Sequence, residues 1–197
     1  NSIIGFANVV VQSYINYFGE MAMAGAGAYS KIEGFAFLPI TSFTMALTTF
    51  VGQNLGAGDY ERTRKGARFG TVCSLIIAEL IGVIIYIFAP QLIAAFDHTP
   101  EVITFGVGRA RACALFYCLL AFSHAIASIL RGAGKAIVPM LIMLVFWCII
   151  RVSILAVSSI CCRTIATVNW VYPITWSLSS IAFLIYYKKF DFTHMGK

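Results

Sequence analysis

The chain has 197 residues, of which 60% are hydrophobic and 11% are charged, and its mean hydropathy is +0.86. Soluble domains carry about 25% charged residues, so this composition excludes a water-soluble globular protein and predicts an all-α, polytopic membrane protein. The formal net charge of +6 does not indicate nucleic-acid binding, because the basic residues lie in short clusters between apolar runs, where they orient helices in a bilayer.

Six apolar stretches come close to the length of about 20 residues that crosses the hydrocarbon layer as a helix. Six crossings put both ends of the chain on the same side of the membrane. The chain opens with Asn1 rather than Met, so we expect a further segment upstream. The predicted spans are 2–19, 32–53, 69–89, 102–130, 137–160 and 167–187.

The first predicted span carries three amide side chains at intervals of four residues, Asn8, Gln12 and Asn16. Each step drifts by only about 40° around a helix, so these amides form one polar stripe. One interpretation is the wall of a cavity that binds a substrate or an ion. The other is polar contact between packed helices, which contributes about 0.6 kcal/mol on average.

The second predicted span carries a similar stripe of hydroxyl groups, Thr41, Thr44 and Thr48, just after Pro39. Proline removes one helical hydrogen bond and can kink the span toward a cavity. The hydroxyls therefore predict a second part of the cavity wall. The alternative is that each threonine bonds back to its own helix, as threonine commonly does in apolar helices.

Glycine turns follow the second and the fourth predicted spans. Gly56 and Gly58 form the first turn, and Gly132 and Gly134 form the second. Glycine allows the positive φ values of a tight reversal after a helix. Two hairpins with the same kind of turn suggest a weak internal repeat, which is common in transporters.

Basic residues gather in three connections that the predicted topology places on one side of the membrane. The positive-inside rule then places this side, and both ends of the chain, in the cytoplasm. The residues are Arg62, Arg64, Lys65, Arg68, Arg131, Lys135, Lys188, Lys189 and Lys197.

Among the ionisable side chains inside predicted spans, three stand well away from the span ends and are candidate functional residues: Glu79, His124 and Arg151. A charge in the bilayer is unfavourable unless it is paired or reaches water, so such residues indicate a functional site. Glu79 and Arg151 could instead pair with each other or with backbone groups as a structural lock. His124, one turn before Ser128, could relay protons or line the cavity, or it could be an ordinary packing residue.

One long segment resembles a known family. Residues 39–68, PITSFTMALTTFVGQNLGAGDYERTRKGAR, resemble the eighth span and the following cytoplasmic loop of multidrug and toxic compound extrusion (MATE) transporters. The motif VVVQSYINYFG around Gln12 and Asn16 resembles the seventh span of the family, and residues 130–140 resemble the loop that enters the eleventh. Among the branches of the family, the chain is most similar to the bacterial DinF type.

The resemblance implies a twelve-helix protein of two six-helix lobes around a central cavity, with this chain as the second lobe and an N-terminal lobe as its partner. It implies efflux of organic, often cationic, compounds across the bacterial plasma (inner) membrane, in exchange for Na⁺ or H⁺. Some branches have an acidic residue of the cation site in the span matching 102–130, but here only Glu101 stands at its mouth. The resemblance therefore does not assign the coupling ion.

No motif indicates an enzyme or a bound cofactor. The chain has no GxSxG, no HExxH and no paired acids at catalytic spacing. Its six cysteines show no metal-ligand spacing and are interpreted as small apolar residues. The alternatives are a lipid or polysaccharide flippase, a non-transporting membrane subunit and a small channel. A flippase should have more basic residues in its cavity, whereas the sequence suggests only Arg151.

Overall fold

The computed structural model describes residues 2–161 and 164–190, so the predicted basic residue Lys197 lies outside the described part. Every regular element in these two ranges is helical. The sixth helix contains a π-helical segment at Leu144–Ile150. The helices are α1 (Ser2–Asn16), α2 (Glu20–Gly56), α3 (Tyr60–Ala94), α4 (Pro100–Ala114), α5 (Tyr117–Gly132), α6 (Ile137–Cys161) and α7 (Ile165–Lys189).

Four of these helices, α2, α3, α6 and α7, are long and apolar enough to cross a membrane. The pair α4 and α5 is bent by 54° and counts as a fifth crossing if it is one broken span. At the first predicted span, α1 has 15 residues, fewer than the 18 that define a candidate crossing. The prediction of an all-α, polytopic membrane protein is confirmed.

The second helix begins at Glu20, well before the predicted start at 32. The added segment is rich in small residues, and its mixed polarity hides it in the sequence. At Gly25 the backbones come so close that a Cβ atom would lie 2.7 Å from the carbonyl oxygen of Val102 and 2.8 Å from the nitrogen of Gly106. Small residues permit such close helix packing in membranes, and this contact with α4 explains why position 25 is a glycine.

The two predicted glycine turns lie at the same end of the bundle, between α2 and α3 and between α5 and α6. Gly58 has a φ of 74° and Gly134 a φ of 78°, which L-residues rarely adopt. Gly132 is required for close packing rather than for the turn. A Cβ atom there would lie 2.5 Å from the carbonyl oxygen of Thr48 on α2. After the first turn, the Asp59 side chain accepts the backbone N–H of Arg62 at 3.0 Å and so begins α3.

Replacing Gly25 with alanine should destabilise the protein by about 1–3 kcal/mol, because the new methyl group overlaps backbone atoms that cannot rotate away. Gly27 is the matched control, since it lies on the same helix and a Cβ added there would meet no described atom within 4 Å. The measurement is the thermal unfolding midpoint of each variant in detergent. Equal midpoints for Gly25→Ala and Gly27→Ala would contradict the close packing of α2 and α4.

Candidate functional site

A cavity of about 440 Å³ lies among α1, α2, α5, α6 and α7. Its wall contains two charged side chains of opposite sign, which is unusual for the interior of a membrane bundle. Five of its lining residues are polar or charged: Asn8, Ser30, Glu33, Thr41 and Arg151.

The rest of the cavity wall is mainly aromatic. Flat apolar side chains next to a few polar groups are typical of small-molecule sites. Sequence reasoning supports no role for Trp147 and Trp176, but both lie at the cavity. The residues of this wall are Gly34, Phe37, Leu38, Leu120, Trp147, Tyr172 and Trp176.

Arg151 is the basic residue of the cavity wall, and just 1% of its surface is exposed. Its Nη2 donates to Thr175 Oγ1 at 3.0 Å, and its guanidinium lies 4.2 Å from the centre of the Tyr172 ring. Its Nε has no hydrogen-bond partner among the described residues. The residue directly follows the π-helical segment of α6, and such segments often occur at functional sites.

Glu33 is the acidic group of the cavity, and the sequence analysis missed it. Its Oε1 accepts a hydrogen bond from the Tyr29 hydroxyl at 3.3 Å. The hydroxyls of Tyr29 and Tyr117 are 2.8 Å apart, so Tyr117 donates to Tyr29 in turn. Because α2 begins at Glu20, Glu33 lies more than three turns inside the helix rather than at the mouth of a span.

Arg109 lies next to the cavity, and the sequence analysis did not identify it as a candidate site residue. It is 6% exposed, and its guanidinium lies 4.7 Å from the centre of the Tyr172 ring and 5.6 Å from that of Tyr29. Within the described ranges, its Nε and Nη1 have no hydrogen-bond partner. Arg109 and Arg151 therefore share Tyr172 as a cation–π partner, with Arg109 behind the cavity wall.

The amide stripe of α1 is only partly at the cavity. All three amides are exposed, but only Asn8 lines the cavity. Gln12 and Asn16 bond to each other, with Nε2 of Gln12 donating to Oδ1 of Asn16 at 3.2 Å. The buried side of α1 is formed by Val11 and Ile15. The stripe therefore lies mainly on an open surface of the bundle.

The predicted threonine stripe of α2 makes hydrogen bonds to its own helix. The hydroxyl of Thr41 donates to the Leu38 carbonyl at 2.8 Å, and Thr44 and Thr48 do the same to carbonyls one turn earlier. Thr41 alone among them lines the cavity. Pro39, between these bonds, lies inside the continuous helix α2.

His124 packs among aromatic rings behind the cavity wall. Its ring lies edge-on to Phe37 at 5.1 Å and to Trp147 at 5.2 Å, and no described group forms a hydrogen bond with its Nε2. The hydroxyl of Ser128 donates to the backbone carbonyl of His124 at 2.7 Å. A proton relay between the two side chains would need a hydrogen bond from Ser128 to the imidazole. The hydroxyl of Ser128 is bonded to the backbone instead.

Glu79 does not form an ion pair with Arg151. Its Oε2 accepts the backbone N–H of Cys118 at 3.2 Å, at the start of α5. Among the residues in 2–161 and 164–190, the ion pair within 4 Å is Glu61 with Lys65, so the pairing of Glu79 with Arg151 is wrong. Gly82, one turn further along α3, packs against the carbonyl oxygen of Ala114 at the same break.

Comparison with known proteins identifies relatives by sequence and by structure. The chain is 30% identical to the probable multidrug resistance protein NorM of Thermotoga maritima over 71% of this chain and 29% of that protein. It is 22% identical to the probable multidrug resistance protein YoeA of Bacillus subtilis over 94% of this chain and 40% of that protein. The crystal structure of MATE in complex with MaD3S matches with a TM-score of 0.89 and 15% identity, over 97% of this chain and 44% of that one.

The helical bundle matches less than half of that solved chain, which fits one lobe of a two-lobed membrane transporter fold. The MatE family model matches residues 1–157, which is most of the chain. The chain therefore belongs to the MATE family, as its sequence predicts. Members of this family are transporters, so the prediction that the chain is not an enzyme is confirmed. The chain spans less than half the length of these relatives.

Removing the carboxyl group of Glu79 should destabilise the protein, because the N–H of Cys118 would lose its partner in an apolar surrounding. We expect Glu79→Ala to cost about 1–3 kcal/mol. Glu79→Gln is the matched control, because its amide oxygen can accept the same hydrogen bond. Thermal unfolding and hydrogen exchange at Cys118 measure the effect. A glutamine variant as unstable as the alanine variant would show that the negative charge, and not the hydrogen bond, is needed.

Proposed function

We propose that this chain is the second lobe of a MATE transporter that exports organic compounds from a bacterial cell. The observation that carries the proposal is the cavity of about 440 Å³, with polar, charged and aromatic walls, inside a bundle of membrane-crossing helices. Polar groups in such a bundle are stable where they line a substrate pathway. Membership of the family supports export as the activity of the complete protein.

An N-terminal lobe is the proposed partner of this chain. The exposed amides of Gln12 and Asn16 support this assignment. Lipid tails offer amides no further hydrogen bonds, so an exposed amide pair is unfavourable there. We therefore assign the open face of α1 to the side of the bundle that meets the N-terminal lobe, where the amides contact water or polar groups of that lobe.

The proposed location is the bacterial plasma membrane, with both ends of this chain in the cytoplasm. Exposed basic residues at the α2–α3 turn and at the end of α7, among them Arg62, Lys65 and Lys188, support this orientation. The proposed energy source is inward movement of Na⁺ or H⁺, and no cofactor is proposed. Membrane lipid and the small-molecule substrate are the other proposed partners.

Transport by the complete protein in liposomes tests the proposal. We expect movement of a fluorescent organic compound to accelerate when an opposed gradient of Na⁺ or of H⁺ is imposed, and to slow when an ionophore dissipates that gradient. Movement without dependence on either gradient would favour a channel. No movement of any organic compound, from a folded protein, would favour a non-transporting subunit.

The extent of the pathway along α1 can be measured with two matched amide variants. Asn8 lines the cavity and Gln12, one turn further, does not. We expect Asn8→Ala to reduce the initial efflux rate by about tenfold, the value of one lost hydrogen bond of about 1.4 kcal/mol. Membrane abundance, measured by immunoblot, should stay unchanged. An equal loss in Gln12→Ala would extend the pathway along the stripe as the sequence predicts, and no loss in either would remove α1 from it.

A flippase for an anionic lipid is the second candidate. The sequence suggests only one deep arginine, but the structure buries Arg109 near Arg151 as well. Both guanidinium groups lie next to the Tyr172 ring. This second buried basic residue is the feature that a flippase would need to hold an anionic headgroup.

A further inference from the structure

The charges in and behind the cavity do not balance. Two buried guanidinium groups, Arg109 and Arg151, accompany one carboxyl group, Glu33, among the residues that the structure describes. Within the described residues, no carboxylate oxygen lies within 4 Å of a guanidinium nitrogen of either arginine. Arginine stays protonated in proteins, whereas a carboxyl group can become neutral. The positive charge of the region is therefore permanent, and its negative charge is not.

Both arginines also have unused donor groups. The Nε of Arg151 and the Nε and Nη1 of Arg109 are buried without a hydrogen-bond partner in residues 2–161 and 164–190. Buried polar groups in proteins are nearly always paired, so these unpaired donors leave the two guanidinium charges uncompensated next to the cavity, which favours an anionic ligand there. A carboxylate, sulfonate or phosphate suits a guanidinium best, because its oxygens accept two parallel N–H bonds.

The aromatic residues of the cavity wall indicate what kind of group the acidic ligand carries. Trp147, Tyr172 and Trp176 line the cavity, and the Tyr172 ring contacts the guanidinium groups of both arginines. Aromatic side chains stack on flat ligands and contribute through both area and ring geometry. The lining thus combines a fixed positive charge with aromatic surface.

We propose that this cavity binds an aromatic organic anion, with the acidic group at Arg151 and the ring system against Trp147 and Trp176. Arg109 adds its charge from behind Tyr172. The inference rests on the proposed function and names the substrate class of the same cavity. It differs from the organic cations that the family resemblance implies. Glu33, held by Tyr29, opposes the anion and limits its affinity.

Two probes that share an aromatic body and differ in charge test this assignment: pyrene-1-sulfonate and 1-pyrenemethylammonium. Binding to the complete, purified transporter is measured through quenching of tryptophan fluorescence. We expect the wild-type protein to bind the sulfonate more tightly than the ammonium compound. Tighter binding of the ammonium compound would overturn the proposal.

Four variants locate the binding energy. Arg151→Gln should weaken sulfonate binding by at least about tenfold, because a charged hydrogen-bond donor is lost. Arg151→Lys should recover part of this loss. Glu33→Gln should strengthen sulfonate binding, since it removes the opposing carboxylate without changing an arginine. Arg111→Gln is the matched control, because Arg111 lies on α4 but is exposed and contacts Tyr86 outside the cavity.

Two results with these variants would contradict the anion site. Unchanged sulfonate affinity in a folded Arg151→Gln protein, or a loss as large in Arg111→Gln, would overturn the proposal. If Arg151→Gln does not fold, Glu33→Gln decides: stronger sulfonate binding supports the anion site, and weaker or unchanged binding contradicts it. Thermal unfolding midpoints identify variants that are not folded.

Transport measurements separate this inference from the proposed function. Gradient-driven movement of the ammonium probe alone would overturn the anion site and leave the transporter. Sulfonate binding with the predicted variant effects, without movement of any probe, would support the site and remove the transport function.

An anionic phospholipid offers the same acidic chemistry from another source. If fluorescent phosphatidylglycerol crosses the bilayer through the protein and pyrene-1-sulfonate neither binds nor moves, the ligand is a lipid and the proposal of an aromatic anion is wrong.

Discussion

The low polarity of the bilayer is the constraint on which the rest of this structure depends. In lipid, each N–H, hydroxyl or charge needs a partner within the protein. Most polar side chains of the bundle meet this need locally. Hydroxyls such as those of Thr44 and Ser177 donate to carbonyls of their own helix, and Glu79 takes up the N–H that a helix break leaves free. The exceptions gather at one place, where Arg109 and Arg151 keep donors beside the cavity that no described residue pairs.

The cavity is formed where helix packing cannot be regular. α6 changes from α-helix to π-helix over Leu144–Ile150, which widens the helix and shifts the direction of the following residues by one position. Trp147 lies within this segment and Arg151 directly after it. Across the cavity, α2 presents Glu33 and Phe37 one turn apart. The site therefore combines residues from a regular helix and an irregular one.

The sequence predicts the helical fold well, because long apolar runs in a sparsely charged chain have few other solutions. It predicts the site only in part. Asn8, Thr41 and Arg151 were identified from their polarity and spacing. Glu33 was missed because the segment before it is small and mixed in polarity, which hides the start of α2 at Glu20. Arg109 was missed because no pattern in the sequence reveals the rings of Tyr29 and Tyr172 around it.

The bend between α4 and α5 is held without proline or glycine. The residues around it, from Cys113 to Cys118, can all continue a helix, and the bend is stabilised by Glu79 from the neighbouring α3. A break caused by proline is fixed by covalent structure. This one depends on a single side-chain hydrogen bond and on close packing at Gly82. The cause of the bend thus lies outside the span itself, in contacts that α3 makes with it.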